Sequence, residues 1–194
     1  MKKNYLILTL FLSVFLFLFS FDFALTDQSK KKDTFNQREM IDKAKIYFAD
    51  LSEGVGIIIE RSFKDFGQPS AYIEGEEFSG AFFGGFRYGG GKIYFKDGTI
   101  KDIYWNGPSL GFDLGANASR VFTLIYNLEV DNFNKLLGRF PEVEGTLYLA
   151  AGLAINYQKK NDIIITPVRS GIGLRAGVNL GYSKYTEKKS FIPF

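Results

Sequence analysis

From Gln37 to Phe66 apolar side chains recur at Ile41, Ala44, Phe48, Leu51, Val55, Ile58 or Ile59, and Phe66, close to the helical period. The stretch predicts one or two amphipathic helices. Ser52-Glu53-Gly54 marks a break, with Ser52 able to cap a second helix that Gly67 and Pro69 bring to an end. The polar face mixes signs, setting Glu39, Asp42, Glu53 and Glu60 against Lys43, Lys45 and Arg61. A membrane-surface helix is rich in basic residues on its polar face, so this one is expected to pack against its own domain.

Beyond Pro69 the pattern changes to short apolar runs punctuated by glycine, which predicts an antiparallel sheet with tight turns. Strands are expected near 71–74, 80–88, 92–96, 100–105, 110–116, 120–126, 145–157, 162–168 and 172–185. Gly89-Gly90-Gly91-Lys92 reads as a hairpin turn between the second and third, Asp97-Gly98 as one between the third and fourth, and Lys160-Asn161-Asp162 as a later one. A short helix near 131–137, capped by Asp131 and ended by Gly138, interrupts the sheet. Leu147, Leu149, Ala151, Leu153, Ile155 and Tyr157 alternate as one face of a single strand. Strands with one apolar face and many glycines predict a mainly β fold, a small closed eight-stranded antiparallel β-barrel, since closure leaves no edge exposed.

One segment is nearly repeated. Trp105-Asn106-Gly107-Pro108-Ser109 reads as a turn feeding a strand in which Leu110, Phe112, Leu114 and Ala116 alternate with small or polar residues. Ile172, Leu174, Ala176 and Val178 do the same downstream. Each bare face carries a single charge at the same place in the pattern, Asp113 between Gly111 and Gly115 and Arg175 between Gly173 and Gly177. With no side-chain cover from its own strand, each charge invites a partner, and the two are expected to form a partly dry ion pair, with a ligand clamp at a barrel mouth and two unrelated solvent-facing charges as the competing readings. Trp105, Asp113 and Arg175 are therefore the candidate structural or ligand positions.

At the other end, Met1-Lys2-Lys3 precedes an apolar run from Tyr5 to about Phe21. This basic start and apolar core predict a secretory signal peptide over residues 1–24, with Ala24 or Ser20 before the cleavage point; a retained signal anchor is the competing reading. Residues 25–36, rich in Lys and Asp, read as a solvated linker, and 37–194 as one domain.

Composition narrows the chemistry. A 46% hydrophobic and 17% aromatic content suits one well-cored domain, and a net charge of +3 is too mild to predict nucleic-acid binding. Without Cys there are no disulfides, thiolate metal sites or lipid-bearing cysteine, and without His the usual base and commonest metal ligand are missing. No metal, cofactor or catalytic residue is expected. Gly171-x-Gly173-x-x-Ala176 matches a dinucleotide fingerprint, but strand-like residues follow where a helix must begin. Glu74, Glu76 and Glu77 offer carboxylates for wall-polymer hydrolysis, yet they read as adjacent surface residues in a turn.

Several stretches resemble a known family. They are Ala71-Tyr72-Ile73-Glu74-Gly75-Glu76-Glu77, Phe86-Arg87-Tyr88-Gly89, Tyr104-Trp105-Asn106-Gly107-Pro108-Ser109 with Gly111-Phe112-Asp113, Arg139-Phe140-Pro141, Gly171-Ile172-Gly173-Leu174-Arg175 and the closing Pro193-Phe194. The chain is similar in these to the envelope integrity protein A (EipA) family of alphaproteobacteria, with Asn106 where Gln is usual. The resemblance implies a periplasmic, non-enzymatic, eight-stranded β-barrel protein that helps keep the cell envelope intact, with no established ligand to carry over. A fainter likeness, through Trp105, Pro108-Ser109, Gly111 and Gly115, is to SYLF-type lipid-binding domains.

The expected function is accordingly that of a monomeric periplasmic factor binding an envelope glycolipid or an envelope protein, with only peripheral membrane contact. The alternatives are a SYLF-like lipid-binding domain, an outer-membrane β-barrel and a cell-wall polymer hydrolase. Pro193 and Lys188-Lys189 in the would-be last strand, and strands mostly shorter than a bilayer needs, speak against the outer-membrane barrel.

Overall fold

The computed structural model describes residues 33–49, 52–80, 85–109, 116–143, 146–170 and 181–190. The expected signal peptide, Asp113, Arg175 and the second repeat around Gly171–Val178 lie outside the described residues. The helical pattern resolves into two helices, α1 (Gln37–Phe48) and α2 (Ser52–Phe66). Asn36 starts α1 from extended backbone, its side-chain oxygen accepting the Glu39 N–H at 2.9 Å. Gly67, at φ +77°, ends α2 by donating its N–H to the Phe63 carbonyl at 2.9 Å. Phe35, read as linker, is buried, and its N–H donates to the Pro69 carbonyl at 2.9 Å. The packed domain thus takes in residues ahead of α1.

Ten strands follow among the described residues: β1 (Ala71–Gly80), β2 (Gly85–Phe95), β3 (Ile100–Ser109), β4 (Ala116–Tyr126), β5 (Gly138–Pro141), β6 (Tyr148–Ala150), β7 (Leu153–Ile155), β8 (Gln158–Lys160), β9 (Ile163–Ser170) and β10 (Tyr182–Thr186). They pair antiparallel in the order β5-β10-β3-β2-β1-β4-β9-β7-β6, and β8 joins β9 beside that path. The result is a curled, half-barrel sheet. Its far ends approach where Glu142, just after β5, bridges Gln158 of β8, and where the Val143 N–H donates to the Tyr157 carbonyl at 2.8 Å. The described ladders do not include a continuous eight-stranded closure.

Three local readings change. Gly89-Gly90-Gly91-Lys92 is the middle of β2, because its glycines make room for neighbouring strands and for Trp105: a Cβ on Gly89 would overlap the indole, and one on Gly75, across the β1–β2 ladder, would sit 2.7 Å from Trp105 Cη2. Trp105 to Ser109 likewise lies inside β3, paired throughout with β2 and at Trp105 and Asn106 also with β10, and is no turn. In place of the single strand expected at 145–157, β6 and β7 form a hairpin, since Ala151 (φ +43°) and Gly152 (φ +80°) reverse the chain in two residues and place Ala150 opposite Leu153. Leu149 then points away from the buried Leu153 and Ile155 and is exposed.

The other turns follow the reading. Asp97 accepts from the Thr99 N–H at 2.8 Å and Gly98 takes φ +89°, while Asn161 at φ +56° turns β8 into β9. The short helix is 3₁₀, Val130–Leu136, and Glu129 rather than Asp131 is its cap, held by the Asn132 side chain, which accepts the Glu129 N–H at 2.8 Å.

Period-two alternation splits the burial into two cores. Ala71, Ile73, Ile93, Phe95, Ile103, Val121, Ile125, Ile163 and Ile165 face inward with Phe133, Phe140 and Tyr185, so this core draws on strands from β5 at one end of the order across to β9. Tyr72, Phe122, Leu124, Tyr126, Leu153, Ile155 and Val168 face outward and are covered by Met40, Ala44, Phe48, Val55, Ile58 and Ile59 of the two helices. The expected amphipathic packing is therefore onto the outside of the sheet. No helix among the described residues is long and apolar enough to cross a membrane.

Candidate functional site

Three of the inward-facing apolar runs end in a charge. On β1 the inner positions are Ala71, Ile73, Gly75 and then Glu77; on β9 they are Ile163, Ile165, Pro167 and then Arg169; on β2 they are Phe95, Ile93, Gly91, Gly89 and then Arg87. Glu77, Arg87 and Arg169 are all buried. Because β1 sits between β2 and β4, and β4 pairs with β9, the curl of the sheet brings the three charges to the same end of the interior.

There they meet in two ion pairs. Arg169 donates from Nε to Glu77 Oε1 at 2.9 Å and from Nη2 to Glu77 Oε2 at 3.3 Å, and its Nη1 reaches Asn156 Oδ1 at 2.8 Å. Arg87 Nη2 donates to Glu142 Oε1 at 2.6 Å. Trp105 Nε1 donates to Glu77 Oε2 at 2.8 Å. Beside them the Tyr185 hydroxyl donates to Gln158 Oε1 at 2.9 Å, and Gln158 Nε2 donates to Ser183 Oγ at 2.9 Å.

Burial pushes the Glu77 carboxyl upward, but Arg169 and Arg87, with hydrogen bonds from Arg169 and Trp105, outweigh it and hold the group below the usual Glu value. Burial works against the charge of Arg169 as well, and Glu77 more than restores it. The Tyr185 hydroxyl is pushed up by the same burial. Glu77 and Arg169 thus hold each other in the charged form. Glu77 carries no proton to donate, so it does not supply the acid of a glycoside-hydrolysing pair, and the surface turn expected at Glu74–Glu77 is instead a strand with Glu77 inside.

Trp105 is the sequence-derived candidate that lands here. It is 4% exposed, packed beneath Gly75 and Gly89, with Tyr185 at 6.4 Å between ring centroids. Asp113 and Arg175 lie outside the described residues, so the pair that is seen is Glu77–Arg169. The sequence reading put Glu77 on the surface and missed Arg87, Arg169 and Glu142. The signal for Glu77, Arg87 and Arg169 was present as a charge in register with the buried residues of its own strand, next to glycine or proline.

A model of the family described as envelope integrity protein A matches residues 33–194. The chain belongs to that family. No curated protein matches it. Among solved structures, a crystal structure described as a beta-barrel-like, uncharacterised protein from Brucella abortus is 41% identical, with a TM-score of 0.74, covering 84% of this chain and 99% of that one. The envelope integrity protein A match begins at Asp33, where the described structure begins, and so includes the buried Phe35 ahead of α1.

Proposed function

We propose that this envelope integrity protein A family member is exported to the periplasm and helps maintain the cell envelope by binding an envelope glycolipid or an envelope protein, without catalysing a reaction. The observation that carries the reading is the family match over the whole described domain. The basic and apolar pattern of residues 1–24 supports export. In favour of a non-enzymatic role, the best-built polar cluster spends its charges on one another, with Glu77 held ionised. The same reading takes the Glu142–Gln158 bridge as the seam of an eight-stranded barrel. An outer-membrane barrel is disfavoured because helices cover part of the outer face and Glu76, Lys92 and Asp102 occupy another part, where lipid would require apolar side chains.

The test is fractionation of exporting cells together with a deletion strain. The protein is expected in the periplasmic fraction, and cells lacking it are expected to become sensitive to detergents and to agents that weaken the outer membrane. Recovery in the cytoplasm, or unchanged sensitivity across such a panel, would sink the proposal.

A further inference from the structure

The outer face of β1, β2 and β3 runs on in three successive rows past the edge of α1, where the Tyr47 hydroxyl donates to the Gly75 carbonyl. Register sets Glu74, Lys92 and Asp102 in one row, Glu76, Gly90 and Tyr104 in the next, and Phe78, Tyr88 and Asn106 in the third. The bare Gly90 is the centre of this grid, so the surface dips there, and the Tyr104 ring leans over the dip: a Cβ on Gly90 would lie 2.8 Å from Tyr104 Cδ1. Asn106 Nδ2 donates to the Ser190 carbonyl at 2.8 Å, which fixes the segment after β10 along the same edge and sets Lys189 Nζ 5.9 Å from the centre of the Tyr104 ring. The outcome is a cleft of 520 Å³, within the roughly 300 to 1,000 Å³ of small-molecule sites. Trp105, the chain's one tryptophan, reaches its floor from the inner side of the sheet.

Its chemistry is specific in kind. Glu76 and Asp102 are balanced by Lys92 and Lys189, and Lys92 Nζ already lies 3.3 Å from Asp102 Oδ1. A cleft with two charges of each sign does not select a phosphate or an anionic headgroup. Nor does a row of charges suit an acyl chain. A sugar ring asks for both features present here: an aromatic face against which its C–H groups pack, and carboxylates and ammonium groups that exchange hydrogen bonds with neighbouring hydroxyls. Phe78, 57% exposed at the end of the cleft, extends the apolar surface.

We propose that this cleft binds an uncharged stretch of a glycan, with Tyr104 as the platform under one sugar ring and Glu76 and Asp102 accepting from its hydroxyls. The proposal rests on the envelope reading, which puts the protein among such polymers. Two glycan sources share this chemistry, the sugar chain of an outer-membrane glycolipid and the glycan of the cell wall.

The full chain, produced in exporting cells, is titrated with a tetramer of β-1,4-linked N-acetylglucosamine in one arm and with lipid-free polysaccharide released from lipopolysaccharide in the other. Trp105 emission and calorimetry are the readouts. Saturable binding in one arm is expected and names the source. Tyr104→Ala is expected to weaken it about tenfold, and Glu76→Gln, which keeps the shape, to weaken it as well, with thermal midpoints showing both variants folded. The proposal is overturned if neither glycan gives a saturable response, if both variants bind like the parent, or if inorganic phosphate or anionic phospholipid vesicles bind in preference. These are measurements on purified protein, so they can fail while the deletion phenotype stands, and the reverse.

Discussion

At the residue scale the decisive interaction is Glu77 with Arg169. A buried pair of this geometry adds little net stability over apolar residues of the same shape, but removing one member leaves the other charged in a dry place. Glu77→Gln is therefore expected to cost about 3–5 kcal/mol, whereas Glu77→Leu with Arg169→Met costs much less than the sum of the two single changes. Denaturant unfolding of the parent, Glu77→Leu, Arg169→Met and the double variant measures this coupling, and additive single effects would show that the charges act independently. The pair also sets a pH dependence. The folded Glu77 group titrates below its ordinary value, so its contribution is complete above about pH 4.3 and is lost as pH falls through the lower folded value. The stability gap between the parent and Glu77→Gln is expected to stay constant down to that point and to narrow only in stronger acid. A gap that already narrowed toward pH 6 would mean that the carboxyl is raised rather than lowered.

At the scale of elements, what the sequence made legible was whatever a local period or a local turn controls. The helical stripe, the Asp97-Gly98 and Asn161-Asp162 turns and the antiparallel texture were all readable from Ile41-Ala44-Phe48 spacing and from residues that tolerate a turn. What failed was governed by contacts distant in sequence. Gly89 to Gly91 look like a turn in isolation and become mid-strand because the Trp105 indole and the β1 backbone need their space. The buried cluster was missed for a related reason, since Glu77 lies next to Glu76 and only the pleat, not the local composition, separates the inward one from the outward one. The β6–β7 hairpin was missed because its turn is Ala151-Gly152, and alanine is a poor choice at positive φ. That mismatch yields a prediction. A Cβ in the left-handed region costs roughly 1–2 kcal/mol, Ala151 is exposed, and Ala151→Gly is accordingly expected to raise the thermal midpoint. A lowered midpoint would show that the methyl group, which lies near Gly54 of α2, contributes more by packing than it costs in strain.

At the scale of the whole molecule, the curled sheet has a problem of closure, because among the described residues its two ends meet through the Glu142–Gln158 bridge and the neighbouring Val143–Tyr157 backbone bond rather than through a long ladder. Side chains take over where the ladder is thin. Glu142 is tied across the interior to Arg87 of β2, Gln158 to Ser183 and Tyr185 of β10, and Lys160 Nζ donates to the Leu137 carbonyl at 3.1 Å. The polar cluster is in this view the fastening of the fold, placed where backbone pairing gives least, while the long β1–β2, β2–β3 and β1–β4 ladders hold the opposite wall and carry the cleft. If so, the two regions open with different free energies. Glu142→Ala removes the side-chain partner of Arg87 and leaves the backbone bridge to Gln158 without that support, so native-state hydrogen exchange is expected to speed up at the Val143 amide, which donates to Tyr157, and along β5, β8 and β10. Amides of β1, β2 and β4 are expected to keep their protection, and glycan binding in the cleft to persist. Uniform loss of protection across all strands would instead mean that seam and wall unfold together, and that the cluster stabilises the sheet as one unit rather than fastening its ends.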